Sequence, residues 1–183
     1  MSAPILIAYA TRGGSTAEVA QAIGVALEQA GLRAEVLPVA QVHSLLGREA
    51  LILGAPLYVG RFPKEFRQFI GSHRRSLRAL RTWCFVLGPT RREPKDFDAA
   101  RNQAMKQLGR YPWLRPEDVH ILGGRWNMNT IPFPFSLVRR IPGNPLAKIP
   151  AEDIRDWTEI REWAAGIAAQ LHPAAAQPAI PVG

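Results

Sequence analysis

An α/β fold, a doubly wound sheet of five parallel strands in the order 2-1-3-4-5, is what this sequence predicts, and three observations predict it. Short, nearly continuous apolar runs alternate with stretches of helical period. Apart from the second, which alternates, the runs lack the in–out alternation of a half-exposed sheet, so helices are expected on both faces. The first run ends in a Gly-rich loop that opens straight onto a helical stretch, the arrangement that places ligands at the topological switch point of such sheets.

The elements follow in order. Pro4 to Tyr9 is a buried strand. Thr16 to Ala30 is a helix, with Val19, Ile23 and Leu27 on one stripe beside Ala20 and Gly24, and Gly31 at its C-terminal cap. Arg33–Val39 is a second strand and Ala50–Gly54 a third, fully apolar one. A helix is predicted from Pro63, at a favourable first-turn position, to about Leu80. Trp83–Leu87 is a fourth strand, Phe97–Leu108 a helix and Val119–Gly123 a fifth strand. Residues 125–150 break the rhythm with Pro132, Pro134, Pro142, Pro145 and Pro150 and read as a long irregular insertion. The last helix, Ala151–Leu171, carries Ile154, Trp157, Ile160, Trp163, Ile167 and Leu171 on one face. One domain over residues 1–171 is expected, followed by a Pro/Ala-rich, disordered tail at 172–183. Right-handed crossovers set strands 1 and 3 side by side with their helices on opposite faces.

The composition is ordinary for a globular chain: 183 residues, 47% hydrophobic and 21% charged. With no apolar run of membrane-spanning length and no basic leader segment, a cytoplasmic protein is the expectation. Cys84, inside Trp83–Leu87, reads as a buried small hydrophobe. His43, His73, His120 and His172 match no metal spacing, so no metal is assigned. Charge is the anomaly. Residues 61–110 hold 13 Lys/Arg against 4 Asp/Glu, while the segments on either side are near neutral, for a total of +8. A solvated helix face is one reading of such a block. The other is a surface that meets an anionic membrane, an acidic substrate or another anionic partner. Nucleic acid is disfavoured, because aromatic and basic residues are not interleaved and no reading helix is evident.

The loop after strand 1 is Thr11-Arg12-Gly13-Gly14-Ser15-Thr16. Gly13 and Gly14 let backbone N–H groups turn inward, the helix start brings its positive end, and Thr11, Ser15 and Thr16 add hydroxyls. No Gly-Lys-Ser/Thr follows and no Gly-x-Gly-x-x-Gly is present, so neither a nucleotide-hydrolysing loop nor a dinucleotide site fits. A dianionic monophosphate does, and flavin mononucleotide (FMN) suits it better than ATP or NAD. A plain strand–helix turn is the alternative. The loop after strand 3 adds Pro56, Leu57, Tyr58, Val59 and Gly60, with Tyr58 placed for a ring face and Leu57 and Val59 as apolar walls. The loop after strand 4, Gly88-Pro89-Thr90, offers N–H and hydroxyl groups to a ring edge. No acid/base dyad or nucleophile has convincing spacing, so no catalytic side chain is assigned, and His120 reads as a satisfied strand histidine.

These residues carry a family resemblance. Tyr9-Ala10-Thr11-Arg12-Gly13-Gly14-Ser15-Thr16 resembles the FMN-phosphate motif of flavodoxins, with Thr11, Gly14 and Thr16 at the matching positions. The Thr-Arg-x-Gly-x-Thr form is similar to the menaquinone-dependent protoporphyrinogen oxidase family. So are Leu53-Gly54-Ala55 with Tyr58, Gly60 and Phe62, and Asp156-Trp157 opening the last helix. The resemblance implies a flavodoxin-like three-layer sandwich, an insertion near strand 5, FMN as cofactor, and an oxidoreductase that takes electrons from a porphyrinogen and passes them to a quinone. It leaves room for a location peripheral to the inner membrane. Two other readings stay open: a flavodoxin-type electron carrier, as in redox stress defence, with no small-molecule substrate, and a cofactor-free module acting through its basic surface. Arg61, Arg91 and Arg92 flank the expected ring loops, and cations there favour an electron acceptor over a strong reductant.

Overall fold

The computed structural model describes residues 4–126 and 152–172, so the interior of the insertion, the expected helix start at Ala151 and the tail lie outside the described residues. Five strands, β1 (Ile5–Tyr9), β2 (Ala34–Pro38), β3 (Ala50–Pro56), β4 (Arg81–Leu87) and β5 (Val119–Leu122), form one parallel sheet in the order β2-β1-β3-β4-β5. Leu6 pairs with Glu35 on one side and Leu51 on the other, and Leu53 with Cys84, which continues the register across the sheet.

Alternate strand residues supply two cores. Leu6, Ala8, Leu51, Leu53, Val86 and Ile121 face one way, against Phe66, Phe69 and Ile70 of α2 (Lys64–Ser72) and Ala104 and Leu108 of α4 (Pro94–Leu108). Ile5, Ile7, Ile52, Phe85 and Leu122 face the other, against Val19, Ile23 and Leu27 of α1 (Ser15–Gln29) and Ile160, Ala164 and Ile167 of α5 (Trp157–Leu171). Burial on both sides is why β1, β3 and β4 read as continuous apolar runs, while the edge strand β2, only half-buried, alternates. Cys84 lies in the first core; burial, aided by Asp118, pushes its thiol up to about 12, leaving it protonated and unreactive at neutral pH.

Local chemistry sets the element ends. Gly31 at φ 81 follows α1, its N–H donates to the Glu28 carbonyl, and the Leu32 N–H donates to the Leu27 carbonyl, the paired bonds of a Schellman stop. The single helix expected from Pro63 to Leu80 divides at His73 into α2 and the short α3 (Arg74–Leu77). The Phe69 carbonyl still accepts the His73 N–H, but the Ile70 carbonyl, which a continued helix would have offered to Arg74, accepts from the Trp113 indole N–H at 3.1 Å. Helix α4 begins three residues earlier than expected, with Pro94 in its first turn. Helix α5 begins at Trp157, because the Asp156 carboxylate caps it by accepting from the Thr158 and Glu159 N–H groups at 2.9 and 3.1 Å. The residues before it are occupied elsewhere: β7 (Glu152–Asp153) pairs antiparallel with β6 (Arg125–Trp126), closing the insertion at its stem.

Candidate functional site

Parallel strands bring the loops after β1, β3 and β4 to one edge of the sheet, and the β1/β3 switch point opens a crevice there. Each predicted loop stands at that edge. Gly14 takes φ 83, where a side chain would be strained, and its N–H donates to Thr11 Oγ1 at 3.0 Å, which folds the loop back on itself. The first helical bond of α1 runs from the Glu18 N–H to the Gly14 carbonyl, so the N–H groups of Ser15, Thr16 and Ala17 have no acceptor within the helix. Thr16 is fully buried and its hydroxyl has no partner among the described residues. A buried, orphaned donor among three unspent amides at the positive end of a 15-residue helix fits an anionic oxygen.

The loop after β3 is more constrained than its sequence suggests. Tyr58 and Arg61 exchange backbone bonds at 3.0 Å in both directions, closing a tight turn with Val59 at φ 48 and Gly60 at φ 70. Valine is a poor residue for positive φ, and Val59 is 96% exposed. The turn rests on α4, since a Cβ on Gly60 would stand 3.1 Å from Gln103 Oε1. The Tyr58 ring lies 5.8 Å from the Arg12 guanidinium. Burial pushes the phenol above its ordinary value, opposed by the Arg12 charge and by the Arg12 and Gly13 amides beside its oxygen. Tyr58 thus bridges the ring loop and the phosphate loop. Pro56 is buried at the end of β3, and Leu57, half-buried, donates its N–H to the Leu87 carbonyl at 2.8 Å, which ties this loop to β4. Gly88 and Thr90 are half-buried and Pro89 is buried; the Pro89 carbonyl accepts from the Gly124 N–H at 2.6 Å. The structure therefore gathers the three predicted loops at one edge, with Val59 projecting outward at the tip of its turn.

His120 pairs with Glu159 at 3.1 Å and stacks on Trp163, away from the crevice. Sequence reasoning missed a group beside the phosphate loop. Arg155 is buried, and its side chain grips Asp153 through Nε at 2.8 Å and Nη2 at 2.5 Å, Glu18 through Nη1 at 2.8 Å and the Ser15 carbonyl at 3.4 Å. Arg125 donates to Glu18 at 2.9 Å and to the Gly13 carbonyl at 3.3 Å. The Arg155 hydrogen bond holds the Asp153 carboxyl below its usual range, and Asp153 in turn raises Arg155.

A five-stranded 2-1-3-4-5 sheet with an anion-ready loop at its switch point defines the class, and comparison with known proteins agrees. Residues 6–133 match the flavodoxin domain, and the chain belongs to that family. Its cofactor is FMN. The protoporphyrinogen IX dehydrogenase [quinone] of Escherichia coli K12 is 23% identical over 173 residues, covering 89% of this chain and 93% of the relative. Among solved structures, a cysteine-to-serine variant of a flavodoxin from Pseudomonas aeruginosa superposes with a TM-score of 0.58 at 19% identity over 92% of this chain and 98% of that one. The rubredoxin oxygen:oxidoreductase of Desulfovibrio gigas gives 0.54 at 13% identity, with 95% of this chain matching 37% of that larger protein.

Proposed function

We propose that this flavodoxin-family protein is an FMN-dependent oxidoreductase that oxidises a porphyrinogen-type substrate and delivers the electrons to a quinone. The observation that carries the reading is the charge at the crevice mouth. Arg12, Arg61, Arg91 and Arg92 are all exposed on the loops around the switch point, and none of them forms an ion pair among the described residues. Unspent guanidinium groups suit a substrate that carries carboxylates. The likeness to the Escherichia coli dehydrogenase extends over nearly the whole chain and supports the same substrate class.

FMN, when bound, supplies the electron-transfer chemistry. The chain's part is to hold and surround it. Thr11, Arg12, Gly13, Gly14, Ser15 and Thr16 would seat the phosphate, with the Thr16 hydroxyl and first-turn amides as donors. Pro56, Leu57, Tyr58 and Gly60 would border one side of the ring, with Val59 at the exposed tip of that turn, and Gly88, Pro89 and Thr90 its polar edge. Arg61, Arg91 and Arg92 stabilise negative charge at the crevice, whether on a substrate carboxylate or accumulated as electrons. At the opposite end of the sheet, Arg74, Arg75 and Arg78 with Ser72 surround an open concavity of about 490 Å³, which suits an anionic membrane surface where a quinone is dissolved. No helix among the described residues is long and apolar enough to cross a membrane.

The test is anaerobic turnover of protoporphyrinogen IX by the flavin-loaded protein, with menaquinone as acceptor. Quinone-dependent porphyrin formation is expected. Flavin that exchanges electrons with redox proteins while leaving porphyrinogen untouched would instead establish the second reading, an electron carrier, which the likeness in fold to the Pseudomonas flavodoxin supports.

A further inference from the structure

The stem of the insertion is joined to the phosphate loop by more than chain connectivity. Strands β6 and β7 pair Arg125 with Asp153 and Trp126 with Glu152. The stem leaves the sheet through Gly123 and Gly124, which are buried because backbone passes close to both. A Cβ on Gly123 would stand 2.4 Å from the Ile154 carbonyl oxygen, and one on Gly124 3.1 Å from that of Pro89. The Gly124 N–H donates to Pro89 at 2.6 Å and the Ile154 N–H donates to Gly124 at 3.1 Å, fixing the stem against the loop after β4.

From that fixed base two guanidinium groups reach the phosphate loop. Arg125 holds the Gly13 carbonyl and Arg155 the Ser15 carbonyl, and both meet on Glu18 in the first turn of α1. In a trans peptide the carbonyl and the following N–H point opposite ways. Holding the Gly13 carbonyl therefore fixes the peptide whose N–H folds back onto Thr11 Oγ1, and holding the Ser15 carbonyl keeps the Thr16 amide on the side away from the stem. The Arg155 side chain is 3% exposed, doubly bonded to Asp153 and stacked 4.6 Å from Trp157, so its head has no freedom to drift. Two cations face two carboxylates here, so the cluster adds little net charge to the site, and its effect on an anion is through placement.

We propose that Arg155, assisted by Arg125, is a positioning residue for the phosphate loop: the insertion stem presets the loop geometry, and selectivity for FMN over riboflavin depends on it. This rests on the reading of residues 11–16 as the phosphate seat. Residues that only stabilise the fold would weaken both flavins alike; residues that place the loop amides act on the phosphate alone.

The experiment titrates the flavin-stripped protein with FMN and, separately, with riboflavin, following flavin fluorescence. Arg155→Lys keeps the charge but loses the two-pronged grip. It is expected to weaken FMN about tenfold, the scale of one charge-assisted hydrogen bond, with riboflavin changed less than about twofold. Arg125→Gln, less buried, is expected to give a smaller but equally phosphate-selective loss, and it serves if Arg155→Lys fails to fold. The phosphorus resonance of bound FMN is expected to shift in each folded variant. Parallel loss of both flavins, or no loss of FMN, would overturn the proposal. Thr16→Val separates the two levels. If it costs FMN affinity selectively while both arginine variants do not, the stem has no positioning role and the phosphate seat stands. If Thr16→Val also leaves the FMN-to-riboflavin ratio unchanged, the seat itself is misplaced and the proposal fails with it.

Discussion

The two ends of the β-sheet are built differently. At the C-terminal end of the strands the backbone takes unusual conformations: Gly14, Val59 and Gly60 take positive φ, a threonine hydroxyl is buried without a partner among the described residues, and a buried arginine cluster braces the loop beside it. At the N-terminal end the described positive-φ residues, Gly31 and Gly47, are glycines in ordinary turns, and the side chains carry the character. Arg74 lies over Trp113 at 4.5 Å, Arg81 pairs with Glu117 at 3.1 Å, and Arg74, Arg75 and Arg78 stand around an open hollow. The first end is the one proposed to fix a small ligand; the second groups exposed cations around a hollow. One contiguous basic block in the sequence, residues 61–110, feeds both. The chain descends along α2 and returns along β4, so Arg61, Arg91 and Arg92 finish at the crevice while Arg74, Arg75 and Arg78 finish at the opposite end.

Removing the far arginines would test that division most strongly. Each arginine near an anionic bilayer contributes about 1 kcal/mol, so the triple variant Arg74→Gln, Arg75→Gln, Arg78→Gln is expected to weaken binding to phosphatidylserine vesicles roughly a hundredfold. Sedimentation with vesicles at low and high salt checks it. FMN affinity is expected to stay unchanged. A loss of FMN affinity would mean that the ends are coupled, and undiminished vesicle binding would mean that the far end is only a solvated face.

At the crevice end the sharpest single change is Thr16→Val. A hydrogen bond to a charged group contributes about 1.5–3 kcal/mol, so FMN affinity is expected to fall on the order of tenfold to a hundredfold. The flavin-free protein is expected to become no less stable, and by up to about 1 kcal/mol more stable, because an unpaired buried hydroxyl is replaced by a methyl of similar shape. Thermal unfolding with and without FMN reads both effects. Opposite signs in the two states would mark a residue kept for its ligand. A destabilised flavin-free protein would instead show that the hydroxyl serves the fold.

The contrast between the ends also explains what could be read in advance. Strand order and the two cores were legible, because burial on both faces leaves continuous apolar runs at regular intervals. The fold of the loop Thr11–Thr16 was legible because its partners are local: the Gly14 N–H meets Thr11 three residues away, and the helix follows at once. The brace was not legible. Glu18 meets Arg125 across 107 residues and Arg155 across 137, and no periodicity reports such a meeting. The start of α5 was half legible. Asp156-Trp157 carries a cap signal, yet the apolar stripe continues backwards through Ile154, and the pairing of Glu152–Asp153 with Arg125–Trp126 together with the Asp156 cap keeps the helix from starting there. The turn at Val59 hid because Val-Gly is not the Asn-Gly that such a turn favours; tertiary contact with Gln103 accompanies what local preference opposes.

The smallest expected effect discriminates most finely between the ends. A unit charge about 10 Å away through a water-like medium contributes on the order of 0.4 kcal/mol, equivalent to roughly 20 mV for one electron. Replacing Arg61, Arg91 and Arg92 with glutamine is therefore expected to lower the midpoint potential of bound FMN by a few tens of millivolts, measured by redox titration at fixed pH and salt. The same substitutions at Arg74, Arg75 and Arg78, a sheet length away and screened by solvent, are expected to leave it within a few millivolts. If both sets moved the potential equally, the charge would act as a diffuse field of the whole molecule, and the crevice arginines would have no special standing. If only the near set moves it, the crevice favours electron acceptance through its own loops, as oxidation of an organic substrate requires.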